Sequence, residues 1–84
     1  MYQIQKGLII QKIDKETVIF DAEESVLYTL NETAAEIFKM IKKGLKQEEI
    51  VEKMVKKYSL KKEKAEKDVK ELVEGLIKKG IVKR

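Results

Sequence analysis

The chain has 84 residues, 43% of them hydrophobic and 40% charged, and a net charge of +4. This length and hydrophobic fraction are enough for one small globular domain with a limited core. It contains no cysteine and no histidine, which excludes disulfides, iron–sulfur clusters and the commonest general base and metal ligand, and argues against an enzyme, a cofactor or a metal site. No apolar run approaches the roughly 18 residues of a membrane span and no signal peptide is recognisable, which predicts a soluble cytoplasmic protein that does not bind membranes.

The N-terminal third of the chain is predicted to form three short β-strands. Apolar and β-branched residues alternate with polar ones, and only short polar links separate the runs, so an antiparallel meander is expected. The predicted strands span residues 8–13, 17–22 and 25–30. The alternation predicts two sets of residues that each share a face, which are Val18, Phe20 and Ala22 in the second strand and Val26, Tyr28 and Leu30 in the third.

The rest of the chain is predicted to form three amphipathic helices, because apolar residues recur there at a spacing near 3.6. The predicted helices span residues 32–42, 47–57 and 61–79. Asn31 is a good cap for the first helix and Ser59 a possible cap for the third, while Gly44 and Gly80 are expected stops. The apolar tail Ile81-Val82 can fold back on the core. The whole chain is thus predicted to be one α+β domain, a three-stranded antiparallel sheet followed by a winged-helix-like bundle of three helices.

Charge is distributed unevenly along the chain. Residues 1–38 carry three lysines against seven acids, a net charge of −4, whereas residues 39–84 carry sixteen Lys and Arg against eight acids, a net charge of +8. A basic half suggests a nucleic-acid or acidic partner. A solvated helical surface accounts for the same lysines and is the favoured interpretation.

A winged helix-turn-helix would use the third helix to read DNA, so a DNA-binding or regulatory protein is the alternative function. Between Lys61 and Lys79 this helix has no Arg, Asn, Gln, Ser or Thr, the residue types that read base edges. It also carries five acids, which phosphates would repel. No specific nucleic-acid partner is therefore expected.

The third predicted strand is an edge strand that lacks the usual protection. Edges are normally guarded by lysine, proline or a bulge, but residues 25–30 contain no charge and no proline. The first strand, at the other edge, contains Lys12 and is bracketed by Lys6 and Lys15. An open edge can bind an extended peptide by β-augmentation. Pairing with a second copy, which would give a homodimer, and coverage by a helix are alternatives that the strand pattern leaves open.

Gly75 lies inside the third predicted helix, where glycine costs roughly 1 kcal/mol relative to alanine. On a helical wheel it lies at the rim of the apolar stripe with Lys64, Asp68 and Glu71. It is either a tolerated weak residue or a point where backbone, the protein's own or a ligand's, approaches closely.

The stretch YTLNETAAEIFKMIKKG, residues 28–44, resembles the PqqD family, the small peptide chaperones of pyrroloquinoline quinone biosynthesis. The same module is called the RiPP recognition element in other pathways to ribosomally made, modified peptides. The sharpest part is Leu30-Asn31-Glu32-Thr33-Ala34, and the runs EEIVEKMVKKY and DVKELVEGLIKKGIV match the later helices, so the resemblance covers about residues 7–83. Phe38 stands where many members have Trp, and Lys43-Gly44 where Asp-Gly is common, so the pathway is left open. Without a fused enzyme domain, the chain resembles a stand-alone version or a fragment.

The resemblance implies a non-enzymatic binding protein with the predicted fold. Its role would be to bind the leader segment of a precursor peptide as a fourth strand on the third strand, in a cleft beside the third helix. It would then present the peptide to a modifying enzyme, such as a radical SAM enzyme, a cyclase or a leader protease. Carried over to this chain, the implied site consists of Ser25, Val26, Leu27, Tyr28, Thr29, Lys64, Asp68, Glu71 and Leu72.

Overall fold

The computed structural model describes residues 2–84, which form five β-strands and three α-helices. The strands are β1 (Gln3–Ile4), β2 (Leu8–Ile13), β3 (Glu16–Asp21), β4 (Val26–Leu30) and β5 (Val82–Lys83). The helices are α1 (Glu32–Lys42), α2 (Gln47–Tyr58) and α3 (Lys62–Lys78). The order β2-β3-β4 forms one antiparallel sheet, and the three helices follow it along the chain, so the predicted α+β fold is confirmed.

A second sheet of two short strands, β1 and β5, joins the two ends of the described chain. Ile4 pairs with Val82, and the N–H of Gln5 donates to the carbonyl oxygen of Ile81 at 2.8 Å. Strands of two residues have too little alternation for the sequence pattern to predict them. Ile81 and Val82 are each 1% exposed, so the predicted return of this apolar tail to the core is confirmed.

Local signals determine where several elements begin and end; most predicted bounds hold to within one residue, but two serines have other roles than predicted. Asn31 caps α1 as predicted, because its Oδ1 accepts a hydrogen bond from the N–H of Ala34 at 2.8 Å. Ser59 does not cap α3; it ends α2 in the left-handed conformation, with φ of 51°, and Lys61 takes the cap position of α3. Ser25 has φ of 54° in the turn before β4, so it does not belong to the strand.

The central strand β3 begins one residue earlier than predicted and buries the face that carries Thr17, Ile19 and Asp21. Val18 and Phe20 share the opposite, outer face and are half-buried. Asp21 tolerates burial because its Oδ1 accepts hydrogen bonds from two backbone N–H groups of the following turn, at 3.1 and 3.3 Å.

The core lies between the inner face of the sheet and the three helices. Each helix contributes one buried stripe, and the stripes comprise Ile37, Phe38, Met40 and Ile41 of α1, Ile50, Val51 and Met54 of α2, and Ala65, Val69, Val73 and Leu76 of α3. Leu30, at the end of β4, is 7% exposed and is followed directly by the cap Asn31. This junction anchors the end of β4 to the bundle. No helix within residues 2–84 is long and apolar enough to cross a bilayer.

Candidate functional site

β2 and β4 are the two edges of the main sheet, and the register determines which backbone groups of β4 are unpaired. Ile13 and Glu16 flank a two-residue hairpin loop, so they form a hydrogen-bonded pair. Bonded and non-bonded pairs alternate along an antiparallel ladder. Val18 and Phe20 are therefore the next residues of β3 that bond to β2.

Residues of a central strand bond alternately to one neighbour and then to the other, so Ile19 of β3 bonds to β4, where its partner is Tyr28. It follows that the backbone N–H and C=O groups of Leu27 and Thr29 point to the open side of β4. Both side chains are exposed, Leu27 to 61%. No further strand pairs with β4 within the described chain, so these groups are available to another chain.

A groove runs between β4 and α3 and continues past the start of α1; we call it the β4–α3 groove. Its strand section has a volume of about 400 Å³ and is lined by residues 27–30 of β4, by Glu71, Leu72, Gly75, Leu76 and Lys79, and by Ile81. Its helix section has a volume of about 700 Å³ and is lined by Asn31, Thr33, Ala34, Ile37, Tyr58, Leu60, Lys64, Asp68, Glu71 and Leu72. Because Glu71 and Leu72 line both sections, the two sections adjoin at these residues.

The groove brings together most of the residues that the resemblance implies. Leu27, Tyr28 and Thr29 line the strand section, Lys64 and Asp68 line the helix section, and Glu71 and Leu72 line both. Ser25 and Val26 line neither section. Ser25 belongs to the turn, and Val26 pairs with Asp21 on the inner face of the sheet.

On α3 the implied site stops one helical turn short of the end of the groove. Lys64, Asp68 and Leu72 follow one another at a spacing of four residues, and the same row continues to Gly75 and Lys79, which also line the groove. The helical spacing alone was therefore sufficient to find both residues.

The groove has charged groups at both ends. Lys64 Nζ lies 3.3 Å from Asp68 Oδ2, and Lys79 Nζ lies 5.0 Å from the centroid of the Tyr28 ring. Between these two ends, at the junction of the sections, lie half-buried Leu72 and the exposed carboxylate of Glu71. The groove therefore offers backbone hydrogen bonds along one side, apolar surface with one acid in the middle and charges at its ends, which suits an extended peptide. Within residues 2–84 no group of three or more His, Cys, Asp or Glu residues could hold a metal ion.

The other edge of the sheet also borders a groove, which lies between β2 and α1 and has a volume of about 470 Å³; we call it the β2–α1 groove. Five lysines line it: Lys12, Lys15, Lys39, Lys42 and Lys57. Lys57 Nζ donates a hydrogen bond to Glu36 at 2.9 Å, which lowers the pKa of Glu36 below its ordinary value of 4.5, and the charges of Lys57, Lys39 and Lys12 lower it further. The same hydrogen bond raises the pKa of Lys57.

The geometry of α3 does not favour the DNA-binding alternative. Between Lys62 and Lys78 the helix has five lysines and five acids, so it has no net charge to attract phosphates. Three of its charged residues, Lys64, Asp68 and Glu71, line the β4–α3 groove. The lining of that groove carries two lysines against two acids, so it is not a basic surface either.

Comparisons with known proteins agree with this geometry. A family model described as Coenzyme PQQ synthesis protein D (PqqD) matches residues 16–82. The fold is similar to that of lasso peptide synthetase B1 complexed with the leader peptide, at 22% identity over 99% of this chain and 98% of that chain, with a TM-score of 0.91. It is also similar to TbiB1 in complex with the TbiA(beta) leader peptide, at 22% identity over 96% of this chain and 94% of that chain, with a TM-score of 0.89. At this identity the two likenesses establish the fold. No curated protein sequence gives a significant match.

Proposed function

The chain belongs to the PqqD family, and from this membership and the open edge of β4 we propose that it is a non-catalytic protein that binds the leader segment of a ribosomally made precursor peptide. The observation that carries the proposal is the unpaired side of β4, where the N–H groups of Leu27 and Thr29 face outward beside a partly apolar groove. The two solved structures of similar fold are both complexes with a leader peptide, which supports leader binding by this chain.

In the proposed complex the leader adds to β4 as a fourth strand. Alternate side chains of a strand point to opposite faces of its sheet, so every second leader residue points into the β4–α3 groove and the others lie beside exposed Leu27. Backbone hydrogen bonds contribute affinity for many sequences, while the groove selects among side chains. Lys64 and Asp68 in the helix section, and Lys79 at the other end, favour leader residues of opposite charge at those positions.

A protein that only binds a leader needs a second protein to modify the peptide. We expect that partner to be a modifying enzyme such as a radical SAM enzyme, a cyclase or a leader protease. The pair would work in the cytoplasm, where ribosomal precursors are made. Both partners would be identified if the gene for this chain has two neighbours, a gene for a short peptide and a gene for one of these enzymes.

The test of the proposal uses one proline on each edge of the sheet. Leu27→Pro removes an N–H that points away from the sheet on β4, and Lys12→Pro removes the equivalent N–H on β2. Both variants should remain folded, because neither loses a ladder hydrogen bond. Only Leu27→Pro should weaken binding of the leader of the precursor encoded beside this gene, by about tenfold or more, because it removes a hydrogen bond and obstructs the added strand.

Fluorescence anisotropy of a labelled leader peptide gives the two affinities, and circular dichroism confirms that both variants are folded. A folded Leu27→Pro variant that binds the leader as tightly as the wild type would contradict β4 as the docking edge. Equal weakening in Lys12→Pro would show that proline acts through general loosening of the sheet. Failure of the wild type to bind the leader would contradict leader binding itself.

A further inference from the structure

Gly75 lies in the last turn of α3, and no feature of the fold requires glycine there. It has ordinary helical backbone, in contrast to Gly7 and Gly80, whose φ values are 82° and 78°. A Cβ built at Gly75 meets no heavy atom within 4 Å. Alanine would fit at this position and would favour the helix. Neither the backbone conformation nor the packing of residues 2–84 therefore explains the glycine.

The position of Gly75 in the groove supplies an explanation. Gly75 lies on the α3 wall of the strand section, between Leu72 on the preceding turn and Lys79 on the following turn. The opposite wall is β4, whose Tyr28 ring lies under Lys79 Nζ. Because Gly75 has no side chain, the wall between Leu72 and Lys79 is recessed, and the helix backbone is accessible from the groove.

We propose that Gly75 forms a notch that holds one large apolar side chain of the bound leader, either aromatic or aliphatic. The inference rests on the proposed function, since the leader must lie along β4 for a side chain to reach α3. The chemical class follows from the surroundings: Leu30 and Leu76 are 7% and 3% exposed, and burying a charge against them would be costly. The absent Cβ allows the inserted side chain to contact the helix backbone directly.

The notch predicts that stability and affinity change in opposite directions. Gly75→Ala should raise the midpoint of thermal unfolding by up to about 4 °C, because the new methyl group meets no other atom and the last turn of the helix is favoured. The same change should weaken binding of the leader of the neighbouring precursor by about tenfold, because overpacking is costly. Gly75→Leu fills the notch and should weaken binding by about a hundredfold.

The matched controls are Glu74→Ala and Glu74→Leu. Glu74 is the adjacent residue of α3, is exposed and does not line the strand section. Both controls should bind the leader with wild-type affinity. They separate a general effect of α3 substitutions from an effect of filling the notch.

An alanine scan of the leader, repeated against the wild type and Gly75→Leu, identifies the residue that occupies the notch. One large apolar residue of the leader should lose most of its contribution to affinity in Gly75→Leu, because coupled positions do not behave additively. Wild-type affinity of Gly75→Leu, or an unfolding midpoint of Gly75→Ala below the wild-type value, would overturn the notch and leave leader binding intact. If the wild type binds no leader, the proposed function and the notch are both wrong.

Discussion

Both edges of the main sheet border a groove against a helix, but the two grooves differ in chemistry. The β2–α1 groove is lined by five lysines and by three acids, Asp14, Glu32 and Glu36, and one of the lysines, Lys12, belongs to the edge strand itself. The β4–α3 groove is lined by only two lysines, and each has a partner: Lys64 pairs with Asp68, and Lys79 lies over the ring of Tyr28. β4 itself has no charged residue.

An edge strand beside a helix is therefore not sufficient for strand addition. An incoming strand must displace water from the edge, and a lysine within the edge strand opposes this, because its charge would have to be desolvated or displaced. The β2 edge is thereby protected, while the β4 edge stays open to a peptide. On this argument the side chains, and not the backbone architecture, decide which edge is used.

Proline substitutions at neighbouring residues of β4 should differ strongly in their effect on stability. Tyr28→Pro removes an N–H that bonds to Ile19, whereas Leu27→Pro and Thr29→Pro remove N–H groups that face the open side. Leaving a buried carbonyl without its partner costs about 1–3 kcal/mol, and the ring contacts of Tyr28 are lost as well, a large fraction of the stability of so small a domain. Urea unfolding should give a much lower free energy of unfolding for Tyr28→Pro than for either neighbour.

Tyr28→Ala is the control for this series, because it removes the ring and keeps the N–H. It should be more stable than Tyr28→Pro. If the three proline variants are equally stable, or if the order is reversed, the hydrogen-bond parity inferred for β4 is wrong.

Most of the fold could be predicted from the sequence because its signals are local. Alternation located the strands, the 3.6-residue period located the helices, and Asn31 marked the junction between them. The errors fell at two serines, whose short side chain suits several kinds of position. Ser59 has a side chain suited to capping a helix but ends α2 with positive φ, and Ser25 has positive φ in the turn before β4. The pairing of β1 with β5 depends on the two chain ends meeting in space, which no local pattern records.

The candidate site was predictable only in part, because local patterns do not record which elements meet in space. The β4 and α3 portions follow from strand and helix periodicity, and one more turn of the α3 row would have included Gly75 and Lys79. Tyr58, the last residue of α2, and Leu60, in the connection between α2 and α3, also line the helix section. Their contribution depends on how the bundle packs, so the sequence pattern could not assign them to the groove.

A smaller effect is expected when the charge difference between the two edges is removed. Thr29→Lys adds a lysine to β4, and Gln11→Lys adds the same charge to the outer face of β2; both positions are exposed. Each change should alter the free energy of unfolding by less than about 0.5 kcal/mol. Only Thr29→Lys should weaken leader binding, by roughly threefold to tenfold, because it protects the open edge.

Thr29→Lys should also suppress self-association. We predict that the wild type forms concentration-dependent dimers through β4, and that the leader dissociates them, because an unprotected edge pairs with its own copy. Sedimentation velocity at increasing concentration measures this for the wild type and both lysine variants. A wild type that stays monomeric at high concentration, or dimers that persist in Thr29→Lys, would contradict dimerisation through β4.

The smallest expected effect concerns the ion pair beside the β2–α1 groove. The hydrogen bond from Lys57 lowers the pKa of Glu36 below its ordinary value of 4.5, so the pair stabilises the fold fully above that value and progressively less as the pH falls through the lowered pKa. The pKa of Lys57 is raised from 10.5, so its own contribution is lost only in strong alkali. Both side chains are partly exposed, 54% for Lys57 and 29% for Glu36, so Glu36→Gln should lower the unfolding midpoint at pH 7 by at most about 2 °C.

A double-mutant cycle with Lys57→Gln isolates the coupling of the pair, which should disappear at about pH 2. Leader affinity should be the same in every variant of the cycle, because the pair lies beside the protected edge. A variant with reduced leader affinity would mean that the β2–α1 groove takes part in binding, and the contrast between the two edges would then not hold.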